Sequence, residues 1–147
     1  MKIGIANDHR GYELKNYLEE ELKKLGYEVV NYGTNSTESV DYPDYAFKLG
    51  TEVVNKNVDF GVAICGSGIG ISIACNKVAG VRCAKVSNIE EAKYTREDND
   101  SNIVAFGENT SKEEALEIVK TFIETPFSNL EKHQRRINKI KNYEDNR

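Results

Sequence analysis

The chain has 147 residues, 30% of them charged, a formal net charge of −4 and 39% hydrophobic residues. That length suits one domain, residues 1–147, with its own core, and the acidic balance gives no reason to expect nucleic-acid or membrane binding. Three cysteines at irregular spacing, without Cys-x-x-Cys or histidine clusters, support neither a disulfide framework nor a zinc site and fit a reducing cytoplasm.

In chain order, Lys2 to Ala6 reads as a strand, and Asn7-Asp8-His9-Arg10-Gly11 as a polar turn at its carboxyl end. Leu14, Leu18, Leu22 and Leu25 form one stripe of a helix that Gly26 ends, and Glu28 to Asn31 is a second short strand. The polar stretch from Tyr32 to Asp41 is turn-like. Asp41-Tyr42-Pro43 then offers a capping aspartate and an early proline for a helix with Ala46, Leu49, Val53 and Val54 on its core face.

Phe60 to Ile64 is almost wholly apolar, as in a strand covered on both faces of a parallel sheet. Gly66, Gly68 and Gly70 then break the pattern and permit a tight turn into a helix, whose first free N–H groups suit an anion or a developing oxyanion. Cys65 lies at that corner, where the helix dipole favours a thiolate base or nucleophile, with the Ser67 hydroxyl two residues away. A small buried hydrophobe is the equal alternative for Cys65. A dinucleotide cradle is disfavoured because Ile71 stands where the third glycine belongs.

The third helix is expected to run to about Val78, followed by a strand from Val81 to Val86. A helix from about Asn88 leads to a polar turn, Arg96 to Asn102, before the strand Ile103 to Phe106. Cys75 and Cys83 read as packing residues. Ser111 and Glu114 form a capping box for a helix facing inward through Ala115, Ile118, Val119, Phe122 and Ile123, which Pro126 ends. Leu130 to Tyr143 is helical and basic, with Lys132, His133, Arg135, Arg136, Lys139 and Lys141. That face suits solvent or a phosphate clamp better than nucleic acid. Regular alternation of strands and helices implies a Rossmann-like parallel α/β fold with ligands beyond the strands' carboxyl ends.

Asn7-Asp8-His9, Asp41-Tyr42-Pro43, the run from Cys65 to Ala74, Asn76-Lys77, Gly80-Val81-Arg82 and Asn99-Asp100-Ser101-Asn102 together resemble type B ribose-5-phosphate isomerase and its galactose-6-phosphate isomerase relatives. The resemblance implies a three-layer α/β/α sandwich with a five-stranded parallel sheet in the order 2-1-3-5-4. It also implies a homodimer, with a tetramer as the larger alternative, whose active sites are shared between subunits, and no metal or cofactor. By position it makes Cys65 the base that moves a proton between C1 and C2 of an open-chain aldose phosphate, with Ser67 assisting at O1 and O2. Gly66 and Gly70 would line the enediolate, Asp8, Tyr42 and Asn99 the sugar hydroxyls, and His9 and Arg136 the phosphate.

Three positions depart from the pattern: Asp98 stands for the ring-opening histidine, Asn109 for an arginine near the phosphate, and Lys132 for another arginine on the last helix. An ordinary ionised aspartate is a poor acid for ring opening. Because sugars also open spontaneously and His9, Lys132, Arg135 and Arg136 still supply positive groups, ribose 5-phosphate is nevertheless the leading expectation. A four-carbon erythrose or erythrulose phosphate, a six-carbon allose or galactose 6-phosphate, and a non-catalytic sugar-phosphate-binding module are the alternatives.

Overall fold

The computed structural model describes residues 1–147. Strand β1 (Lys2–Asn7), helix α1 (Tyr12–Lys24), β2 (Glu28–Asn31), α2 (Tyr42–Val54), β3 (Phe60–Cys65), α3 (Ile69–Cys75), β4 (Cys83–Lys85), α4 (Ile89–Asn99), β5 (Ile103–Gly107), α5 (Lys112–Glu124) and α6 (Glu131–Asp145) follow in that sequence. All pairings are parallel, in the order β2-β1-β3-β5-β4, as the resemblance implies. No helix is long and apolar enough to cross a membrane.

The apolar run of β3 is explained by its place: it lies at the centre and is covered on both faces. On one face Val62 and Ile64 meet Leu14, Leu18 and Leu22 of α1 and Ala115, Ile118 and Phe122 of α5. On the other, Ala63 and Cys65 meet Ala46, Leu49 and Val53 of α2 and Ile71 and Ala74 of α3. Leu25 is the exception to its stripe: it lies half-exposed at the helix end, where the chain turns out through Gly26 at φ +96°.

Three expected elements change length, each for a tertiary reason. Helix α3 stops at Cys75 rather than Val78, because Asn76 turns to the edge strand and clamps Cys83 from both sides, Nδ2 donating to its carbonyl at 2.9 Å and Oδ1 accepting its N–H at 2.8 Å. That clamp also blocks the open edge of the sheet and leaves β4 only three residues of ladder. Helix α4 takes in Arg96 to Asn99, which were expected in a turn. Arg96 is buried with its guanidinium carbon 4.8 Å from the Phe60 ring centre and 5.7 Å from that of Phe122, and it donates to Asp100 and to the Ser101 carbonyl. Asp100, left-handed at φ 46°, ends the helix. Asp41 precedes α2 but its side chain accepts no capping bond, whereas Ser111 Oγ does accept from the Glu114 N–H at 3.2 Å.

The Tyr32 to Val40 loop has no regular structure and is nonetheless tied down. The Thr34 N–H donates to the Asn7 carbonyl, and Asn35 Oδ1 accepts from Asn31 Nδ2 at 2.6 Å and from the buried Lys15 ammonium at 3.0 Å. Burial holds Lys15 below the usual lysine value.

Candidate active site

The carboxyl ends of β1, β3 and β5 lie side by side, with Cys65 paired to Gly107 and Asn7 to Ile64. Cys65 ends the central strand and is 4% exposed, and its Sγ accepts the Gly68 N–H at 3.2 Å. Ser67 Oγ accepts the Ile69 N–H at 3.1 Å, which orients the hydroxyl while leaving its proton to give. The N–H groups of Gly66, Ser67, Gly70 and Ile71 meet no acceptor within the chain. Two loop amides therefore hold the thiol and the hydroxyl, and the neighbouring ones are open to a ligand oxygen.

The turn stands close on its neighbours. Gly68 has φ +81°, and a Cβ there would lie 2.5 Å from the Phe106 carbonyl carbon. A Cβ on Gly70 would lie 2.6 Å from the Tyr42 ring, so Tyr42, at the start of α2, lies directly over the loop. The two sites separate stability from ligand contact. Gly68→Ala must move backbone and is expected to cost on the order of 3 kcal/mol or more in urea unfolding. Gly70→Ala can be relieved by a swing of the Tyr42 side chain. It should cost roughly 1 kcal/mol and act mainly on ligand affinity; equal losses for the two would contradict this reading.

Asp8 Oδ1 accepts from the N–H groups of Arg10 at 2.9 Å and Gly11 at 3.3 Å, which closes the turn after β1. His9 Nδ1 accepts the Val40 N–H at 3.2 Å. With Nδ1 accepting, Nε2 carries the ring proton and is the donor presented to an anion.

The other residues expected at the site stand elsewhere in the same chain. Asp98 and Asn99 end α4, before β5 begins at Ile103, whereas Cys65 is level with Gly107 at the far end of that strand. Ile103 to Gly107 alone separates these levels by about 13 Å. Lys132 and Arg136 are exposed on α6 and make no ion pair. Helix α6 packs beside α4, and His133 Nε2 lies 3.5 Å from Asp98 Oδ1. One chain thus brings together Asp8, His9, Tyr42, Cys65, Gly66, Ser67 and Gly70, and separately Asp98, Asn99, Lys132 and Arg136.

A bidentate ion pair at the first cluster has no counterpart among the expected residues. Arg10 donates to Glu108 through Nε at 2.6 Å and Nη2 at 3.1 Å, bridging the turns after β1 and β5 across Gly66. The hydrogen bond and the charge of Glu108 raise the pKa of Arg10 further. The two residues are 98 positions apart; the available signal was a charge just past the carboxyl end of each strand flanking β3. No three His, Cys, Asp or Glu side chains group as a metal site.

An all-parallel, doubly wound sheet with a thiol and open backbone amides beyond its central strand defines a Rossmann-like α/β protein with a site for an anionic ligand. Residues 3–140 match the model of the Ribose/Galactose Isomerase family, and the chain belongs to that family. The structure of Clostridium thermocellum ribose-5-phosphate isomerase B superposes with a TM-score of 0.96, at 46% identity, covering 99% of each chain. That of Mycoplasma genitalium ribose-5-phosphate isomerase B with bound ribulose-5-phosphate gives 0.92 at 37%, covering 98% of this chain and 96% of that one. Ribose-5-phosphate isomerase B of Escherichia coli K12 is 42% identical over 123 residues, 84% of this chain and 80% of that protein.

Proposed function

We propose that the protein is an aldose–ketose isomerase that interconverts ribose 5-phosphate and ribulose 5-phosphate through an enediolate. The observation that carries this reading is the Cys65 thiol, held by the Gly68 N–H beside open loop amides, in a chain whose relatives are named for this reaction. Cys65 takes the C2 proton of the open-chain aldose and delivers a proton, exchangeable with solvent while on sulfur, to C1. Ser67 passes a proton between O1 and O2, and the amides of the Gly66 to Gly70 loop balance the charge on the enediolate oxygen. Asp8, Tyr42 and Asn99 hold the sugar hydroxyls; the Nε2–H of His9, with Lys132 and Arg136, holds the phosphate.

These roles require two chains. The separation of Asp98, Asn99, Lys132 and Arg136 from Cys65 supports a homodimer in which α4 and α6 of one subunit complete the site of the other. Exposed Ile69 and Ile73 on the helix that follows the glycine loop, with Phe47 on α2, are apolar surface of the kind a partner covers. Residues 1–147 act as one isomerase domain, and a reducing cytoplasm suits a free thiol base.

Asp98 bears on the substrate. Its carboxyl group lies 3.5 Å from the His133 ring on a side chain 49% exposed, at the position where the resemblance expects a ring-opening imidazole. That favours, as the second reading, a four-carbon sugar phosphate that cannot close a furanose and needs no ring opening. Asp98→His is expected to raise the rate on ribose 5-phosphate several-fold and to leave erythrose 4-phosphate unchanged. Much faster turnover of erythrose 4-phosphate by the parent, with no gain on ribose 5-phosphate in the variant, would select the four-carbon substrate.

A further inference from the structure

Glu108 brings a carboxylate to the glycine loop that follows Cys65. Its N–H donates to the carbonyls of Cys65 at 3.0 Å and Gly66 at 3.2 Å, and its Oε2 lies 3.9 Å from the position a Cβ on Gly66 would take. Left bare, that charge would oppose an enediolate on the loop and the approach of a doubly charged phosphate ester. Arg10 meets it with two hydrogen bonds, and its aliphatic stem lies 3.8 Å from the same point over Gly66. The main chain sets both residues: the Arg10 N–H is bound by Asp8, and Glu108 follows directly from β5. With its side chain 59% exposed, Arg10 holds a surface ion pair, which contributes little to stability and leaves electrostatics as its main effect.

We infer that Arg10 is a positioning residue: by clamping Glu108 it cancels the carboxylate that leans over Gly66 and keeps the mouth of the site receptive to anions. This rests on the isomerase reading for its kinetic consequence, but not for its electrostatic one.

The test uses the full-length protein with Arg10→Gln, Glu108→Gln and both together, at low ionic strength. Arg10→Gln is expected to lower kcat/KM for ribose 5-phosphate about tenfold, the loss shrinking as salt is added, with Tm nearly unchanged. The double variant should return to within about threefold of the parent, because the carboxylate that Arg10 clamps is gone as well. An Arg10→Gln variant within twofold of the parent, or a double variant as impaired as the single one, would overturn the inference.

A second readout is independent of turnover: the rate of Cys65 alkylation by anionic iodoacetate relative to neutral iodoacetamide, read by mass spectrometry of the Cys65 peptide. The ratio should fall about three- to tenfold in Arg10→Gln and recover in the double variant. An unchanged ratio would overturn the inference. Inactivity of the parent on every sugar phosphate would instead defeat the isomerase reading and leave this ratio to decide.

Discussion

Cys65→Ala is expected to lower isomerase turnover by a hundredfold or more while leaving the fold and the affinity for substrate nearly intact. A general base commonly contributes that much, and no other side chain in the first cluster has both its position and its chemistry. Asp8 is committed to closing the turn after β1, and Nδ1 of His9 is occupied by the Val40 N–H. Removing one sulfur from beneath the loop leaves a small void, costing on the order of 1 kcal/mol, so loss of activity should not be loss of structure. A Cys65→Ala variant within severalfold of the parent would move the base elsewhere. Substrate should also protect Cys65 from alkylation.

The second large effect concerns the division of the site between chains. Cys65→Ala and Arg136→Ala should each be severely impaired, the first in kcat and the second chiefly in KM, since a guanidinium on a non-reacting phosphate supplies ground-state affinity. Unfolded together and refolded at equal concentration, they should recover activity. Half of the randomly paired dimers are mixed, and each mixed dimer holds one site with both residues and one with neither, so about a quarter of the parent's activity returns. No recovery, or a fully active monomer in sedimentation, would contradict the shared site.

Much of this architecture was legible because it depends on local signals. The glycine spacing after an apolar strand placed Cys65, Ser67 and the open amides at the sheet's carboxyl end, and the strand order followed from the resemblance. The end of α4 was not legible in the same way. Arg96-Glu97-Asp98-Asn99 is polar enough for a turn, and it remains helical because Arg96 finds the Phe60 and Phe122 rings and the Ser101 carbonyl, contacts made only in the folded chain. The same holds for the clamp of Asn76 on Cys83, which shortens α3, and for the Val40 N–H that fixes the His9 ring. The Arg10–Glu108 pair joins two turns that only the order β1-β3-β5 makes neighbours of the glycine loop.

The most direct test of isomerisation at Cys65 is to incubate the purified protein with ribose 5-phosphate in deuterium oxide and follow C1 and C2 by NMR. The enediolate route predicts ribulose 5-phosphate carrying solvent deuterium at C1, exchange at C2 of the remaining aldose, and loss of both in Cys65→Ala. Formation of no ketose from four-, five- or six-carbon aldose phosphates, or undiminished exchange in Cys65→Ala, would contradict it.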